Sequence, residues 1–113
     1  MAKESPTVAQ ACDAYIKSLQ EGRYYDAHED LEALWFPRRF EDDDEVKLWK
    51  GFINAAVSFE LIKKGRPIPS QTPWKTYMKY VTLLDGLGPE HKHRYVTIVQ
   101  LIQRKRGELC PIS

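Results

Sequence analysis

Apolar residues recur at intervals of three and four along most of this chain, which is the spacing of one face of an α-helix. The pattern predicts a first helix from Thr7 to Gln20, with Thr7 as its cap. It predicts a second helix from about Tyr24 to Trp35, which Pro37 ends. Between the two, Gly22 suits the left-handed conformation that ends many helices, so we expect an antiparallel helical hairpin.

The third predicted helix runs from about Asp44 to Lys64 and is apolar around most of its circumference. Asp43 or Asp44 can cap its first turn and complement the helix dipole. Gly65 follows two lysines and supplies a stop. A helix with apolar side chains on nearly every side belongs in the middle of a core, so we expect this one to be central.

The segment 66–73 contains three prolines and predicts a connecting loop, because proline removes a backbone donor and disfavours continued helix. Thr72 should cap a fourth helix with Pro73 in its first turn, and Gly86 should help to end it. Pro89 should open a fifth helix. With no alternating strand pattern, residues 1–113 are predicted to form one all-α domain, a bundle of about five helices.

The composition of the chain makes some classes of function and some cellular locations less expected than others. The chain has 113 residues and a formal net charge of +1, so no overall field draws it to phosphate backbones, and nucleic acid is not the expected partner. Cys12 and Cys110 lie outside metal or redox spacings, which favours a reducing compartment. Without a signal-peptide pattern or an apolar run of about 20 residues, the chain is expected to be cytoplasmic and not membrane-bound.

His28 and Glu32 are four positions apart on the second predicted helix, so their side chains project from one face. This geometry allows both to ligate one divalent metal ion. A catalytic zinc normally has three protein ligands, and the available third donors are Glu60, His91 and His93. The alternative is that His28 hydrogen-bonds to Glu32 or to a tyrosine hydroxyl at a helix interface, without metal.

Lys50, Asn54 and Ser58 recur at intervals of four on the third helix and interrupt its apolar surface. If they face the second helix, they complete a small polar pocket with His28 and Glu32. The alternatives are a solvent-facing stripe or a buried network that fixes helix register.

The segments YYDAHEDLEALW (24–35) and KGFINAA (50–56) resemble domain of unknown function family 309, whose members are small, mainly bacterial helical proteins. The resemblance implies a compact all-helical fold and a label of predicted metal-dependent hydrolase. The positions that match the family pattern are His28, Glu29, Glu32, Trp35, Lys50, Gly51 and Asn54. Asn54 stands where the family often has glutamine, and Glu60 lies near a common histidine.

Two hypotheses about function follow. In the first, the chain is a metal-assisted hydrolase of an unknown small-molecule substrate. A cation held by His28 and Glu32 activates water, Glu29 or another carboxylate is the catalytic base, and Trp35 lies on the pocket wall. Glu29 points about 100° away from His28 on an ideal helix, which counts against that role. In the second, aromatic-rich helices form a non-enzymatic interaction surface or a homo-oligomer.

Overall fold

The computed structural model describes residues 5–110, which form five α-helices and no strand. The helices are α1 (Val8–Gln20), α2 (Tyr24–Trp35), α3 (Asp44–Lys63), α4 (Pro67–Val81) and α5 (Lys92–Leu109). Two short 3₁₀ turns, Phe36–Arg38 and Thr82–Gly86, follow α2 and α4. The predicted all-α class and the predicted bounds of α1, α2 and α3 are confirmed to within one residue.

Helices α1 and α3 begin and end for the reasons that the sequence indicated. Thr7 and Gln10 make a reciprocal capping box at the start of α1. The side chain of Asp43 accepts hydrogen bonds from two backbone N–H groups in the first turn of α3. Gly22 and Gly65 adopt positive φ angles of 72° and 76°, which let the chain reverse after α1 and α3.

Helix α3 is the centre of the bundle, as predicted. It packs against α2, α4 and α5, while α1 closes the structure by packing against α2 and α5. Trp49, Phe52 and Phe59 of α3 are fully buried. The hydroxyl of Tyr15 on α1 donates a 2.7 Å hydrogen bond to the carbonyl of Phe52, so a polar atom in the core is satisfied.

The prediction of a connecting loop over residues 66–73 is wrong. Helix α4 begins at Pro67, so Thr72 is a residue inside it and not its cap. Pro67 and Pro69 fall in the first turn, where backbone N–H groups have no partner within the helix and proline's missing donor costs little. A run of prolines can therefore start a helix as well as interrupt one.

Pro73 lies inside α4, where its ring removes one hydrogen bond of the helix. A contact with α3 holds this part of α4 in place: the buried hydroxyl of Ser58 donates a 2.9 Å hydrogen bond to the carbonyl of Ser70. The tertiary contact offsets the local propensity, which sequence patterns alone do not reveal.

Both cysteines are free thiols. Cys12 is fully buried, and desolvation raises the pKa of its thiol to about 12, which disfavours the reactive thiolate. Among the described residues, none of the helices combines the length and the apolar character needed to cross a bilayer.

Candidate functional site

The two residues that the sequence singled out do meet on α2. The imidazole Nε2 of His28 lies 2.8 Å from a carboxylate oxygen of Glu32, one helical turn later. The side chain of His28 is 24% exposed and that of Glu32 is 45% exposed. The imidazole is thus largely covered while its carboxylate partner stays in contact with solvent. The contact with Glu32 restricts the direction of the ring.

A cavity of about 350 Å³ opens beside His28 between α2 and α3. The two helices run antiparallel, so the first half of α2 faces the last half of α3. The cavity is lined by aromatic, aliphatic and charged side chains from both helices: Tyr24, Tyr25, His28, Val57, Glu60, Leu61 and Lys64. The ring of Tyr25 is centred 5.8 Å from that of His28 and is 56% exposed, so it forms part of an open rim.

Opposite charges line the α3 side of the cavity. A carboxylate oxygen of Glu60 lies 3.4 Å from the ammonium of Lys64, and the carboxylate is the more covered of the two. Lys63 donates to the carbonyl of Gly22 and lies 5.8 Å from the centre of the Tyr24 ring, which fastens the two helix ends together. Burial, with further contributions from Glu108 and Glu60, raises the pKa of Tyr24.

The chemistry of the His28 ring follows from its partner. With Nε2 facing the carboxylate of Glu32, the neutral ring that has its proton on Nε2 leaves Nδ1 as a hydrogen-bond acceptor. No other residue within 5–110 forms a hydrogen bond to this ring. Together with the carboxylate of Glu60, Nδ1 gives the site hydrogen-bond acceptors from both α2 and α3.

The remaining residues of the predicted pocket are not part of this cavity. Ser58 points toward α4, where it bonds to Ser70. Asn54 donates to the carbonyl of Lys50 in its own helix, and Lys50 is exposed. Residues spaced by eight on a helix differ in direction by about 80°, so Lys50 and Ser58 cannot share one face closely.

Trp35 and Glu29 also lie outside the cavity lining. Trp35 packs against the hydrophobic core next to Phe36, which makes it a packing residue at the end of α2. Glu29 is exposed, which agrees with its direction on the helix relative to His28. Of the residues proposed from sequence for the pocket, His28 alone is on its wall, with Glu32 held behind it.

Sequence patterns missed most of the α3 wall. Val57, Leu61 and Lys64 stand opposite His28 only because α2 and α3 are antiparallel and Lys63 pairs with the start of α2. A signal was present in the short connection between α2 and α3, residues 36–43, which favours antiparallel neighbours and from which this register could have been estimated.

The described residues include no group of three or more His, Cys, Asp or Glu side chains that could hold a metal ion. Glu60 shares the cavity with His28, but Lys64 is its near partner. His91 packs beside Tyr95, which bonds to Glu45 in the first turn of α3. Glu45 and Glu60 are separated by roughly 20 Å along α3, so neither His91 nor His93 supplies the third ligand.

Comparison with known proteins finds one matching family model. A family model described as Domain of unknown function (DUF309) matches residues 12–71, which extend from α1 into α4 and include the whole lining of the cavity. No curated protein and no solved structure matches this chain.

Proposed function

Since this chain belongs to the family of Domain of unknown function (DUF309), whose description assigns no activity, we propose a function from the cavity itself. The cavity between α2 and α3 binds a small molecule that has an apolar body and a hydrogen-bond-donating head group, a hydroxyl or an amine. The observation that carries this proposal is the 2.8 Å contact between His28 and Glu32 at the cavity wall.

The contact matters because it removes the rotational freedom of the imidazole before any ligand arrives. A ring held by a carboxylate presents its other nitrogen in one direction, as an acceptor. Glu60 adds a carboxylate oxygen from the opposite helix. A head group that donates hydrogen bonds matches these acceptors.

The apolar half of the ligand is matched by the rest of the wall. Tyr25, Val57 and Leu61 are all partly exposed, so their surfaces gain from being covered. A cavity of about 350 Å³ lies at the lower end of the usual range for small-molecule sites.

The same geometry defines what catalysis here would require. If the bound molecule is hydrolysed, His28 is the general base, since His28 lines the cavity and Glu29 is outside the lining. Glu32 then orients the imidazole and stabilises its protonated form, as carboxylates do in other His–carboxylate pairs.

The test is an NMR titration of the isotope-labelled protein with 2-phenylethylamine, in which the chemical shifts of the backbone amides report where the amine binds. We expect shifts centred on Tyr25, Val57 and Leu61, and affinity about tenfold weaker in His28→Ala, since a hydrogen bond to a charged group contributes 1.5–3 kcal/mol. Glu32→Gln keeps the shape of the side chain and should weaken binding less. His93→Ala, an exposed histidine on α5, is the matched control. Binding that His28→Ala leaves unchanged would overturn the proposal.

A second candidate function is association with another copy of the chain or with a protein partner. The supporting observation is an exposed aromatic surface after α2, made of Phe36 and Phe40, which are 52% and 87% exposed. The guanidinium of Arg39 lies 3.7 Å from the centre of the Phe36 ring and 4.5 Å from that of Phe40. Aromatic residues and arginine are enriched in protein interfaces.

Light scattering on the eluting protein tests this second function. Association through the aromatic surface predicts that Phe40→Ser lowers the mass of the particle, while Ile68→Ser does not. Ile68 is 78% exposed on α4, away from the aromatic surface, and serves as the control for lost surface hydrophobicity. A monomeric wild type excludes self-association and leaves only a different protein as the partner.

A further inference from the structure

A second cavity, of about 310 Å³, lies between α4 and α5, which both pack on α3. Its walls are largely aromatic and aliphatic, with one cation: Trp74, Tyr77, Met78, Val81, Val99, Gln103 and Arg106. All seven residues lie beyond Gly65 and beyond the segment that matches the family.

Arg106 is the cation of this cavity, and its charge has no counterion there. Its guanidinium lies 4.3 Å from the centre of the Trp74 ring. Among residues 5–110, no carboxylate is within ion-pair distance of it. Stacking on the indole holds the guanidinium plane in place and leaves its N–H groups free at the edge, where a carboxylate can accept two hydrogen bonds.

Two neutral groups could donate to the same anion. Tyr77 is only 3% exposed and lines the cavity, yet its hydroxyl forms no hydrogen bond with another described residue. Burial raises the pKa of Tyr77 to about 12, so the hydroxyl keeps its proton at neutral pH. Gln103, one turn before Arg106 on α5, brings an amide to the rim.

The rest of the cavity is apolar and accessible. Met78 is 51% exposed, and Val81 and Val99 are partly buried against the core. Covering these surfaces is favourable, and methionine adapts to ligands of different shape.

We propose that the cavity between α4 and α5 binds a small organic acid, with its carboxylate on Arg106 and its apolar body between Trp74, Val81 and Val99. The hydroxyl of Tyr77 and the amide of Gln103 donate to the remaining carboxylate lone pairs. This site shares no residue with the cavity beside His28, so the two proposals stand independently.

The experiment compares 3-phenylpropanoate with its neutral analogue 3-phenylpropanamide on the full chain, and follows the indole N–H resonance of Trp74. We expect the acid to bind about tenfold more tightly than the amide, because charge-assisted bidentate hydrogen bonds are the stronger kind. Arg106→Gln should remove that preference. Arg104→Gln, which removes the same charge from an exposed position on the same helix, is the matched control.

Arg106→Lys separates charge from geometry, because lysine keeps the charge and lacks the planar fork; it should recover only part of the preference. Three results would overturn the proposal: no shift of the Trp74 resonance, equal binding of acid and amide, or equal losses in Arg106→Gln and Arg104→Gln. If Arg106→Gln is poorly folded, Val99→Phe, which fills the cavity from α5, must still abolish binding of the acid.

Discussion

The indole nitrogen of Trp49 donates a 2.9 Å hydrogen bond to the hydroxyl of Tyr95, and this bond joins the buried face of α3 to α5. The two residues are 0% and 1% exposed. The hydroxyl of Tyr95 donates a hydrogen bond to the carboxylate of Glu45, so one chain of hydrogen bonds satisfies the polar atoms of this part of the core.

Removing the Tyr95 hydroxyl should therefore destabilise the fold. In Tyr95→Phe the Trp49 indole N–H stays buried with no acceptor, which costs about 1–3 kcal/mol. Urea unfolding at neutral pH measures the loss as a lower midpoint. Tyr25→Phe removes a hydroxyl from a ring that is 56% exposed and should change the free energy of unfolding by less than about 0.5 kcal/mol. Equal effects of the two variants would contradict this role for Tyr95.

Much of the fold could be predicted because helix-forming signals here are local. The apolar spacing, the Thr7 and Asp43 caps and the positive-φ glycines all act within one or two turns, and these helices form where predicted. The start of α4 could not be predicted in this way. It depends on the contact between Ser58 and Ser70, which joins two helices and has no local signature.

The candidate site was predicted only on its α2 side. The spacing of His28 and Glu32 fixes their contact within one helix, so the sequence was sufficient. Which residues of α3 stand opposite depends on helix register and rotation. That rotation turns Ser58 toward α4 and brings Glu60 and Leu61 to the cavity. The cavity beside Arg106 was missed because its residues are distributed over α4 and α5, and the rotation of one helix relative to the other has no local signature in the sequence.

Gly51 should be required for the close packing of α3 on α4. A Cβ atom at this position would lie 3.0 Å from the Cβ of Tyr80, which is fixed to the backbone of α4 and cannot rotate away. Gly51→Ala should therefore destabilise the protein by about 1–3 kcal/mol, despite the better helix propensity of alanine. Thermal unfolding followed by circular dichroism measures the change.

Gly107 in α5 provides the comparison, since a Cβ there meets no atom within 4 Å. Gly107→Ala should stabilise the protein by about 0.4–1 kcal/mol, because it restricts the unfolded chain and adds no clash. Stabilisation by both substitutions would show that α4 can move away from α3 without loss.

Cys12 should make the protein less stable as the pH rises above 9.0. Its folded pKa of about 12 lies above the ordinary value of 9.0. Above pH 9.0 the unfolded thiol loses its proton while the folded thiol keeps it, so the contribution to stability is complete below 9.0 and is lost as pH rises toward 12. The slope is about 1.4 kcal/mol per pH unit for one fully titrating group.

Urea unfolding under reducing conditions, at several pH values between the ordinary values of thiol and phenol, 9.0 and 10.0, isolates this group. The wild type should lose stability over this interval, and Cys12→Ala should lose clearly less. Above 10.0 both proteins should decline, because burial also raises the pKa values of Tyr77 and Tyr95. Parallel curves from 9.0 to 10.0 would show that the thiol is solvated.

Metal content provides the last prediction, and it decides between the first hypothesis from sequence and the function proposed above. His28 and Glu32 are two donors from one turn, and Glu60 is paired with Lys64, whereas catalytic zinc normally has three protein ligands. The protein is purified without a metal-affinity tag and incubated with zinc, manganese, iron or nickel. We expect elemental analysis to find less than one metal ion per chain.

Near-stoichiometric metal that disappears in a still-folded His28→Ala, Glu32→Ala double variant, and persists in the control Glu90→Ala, His93→Ala, would contradict this prediction. Glu60 would then have to exchange Lys64 for the cation, and a metal-assisted hydrolase would replace the acceptor site as the function of the cavity.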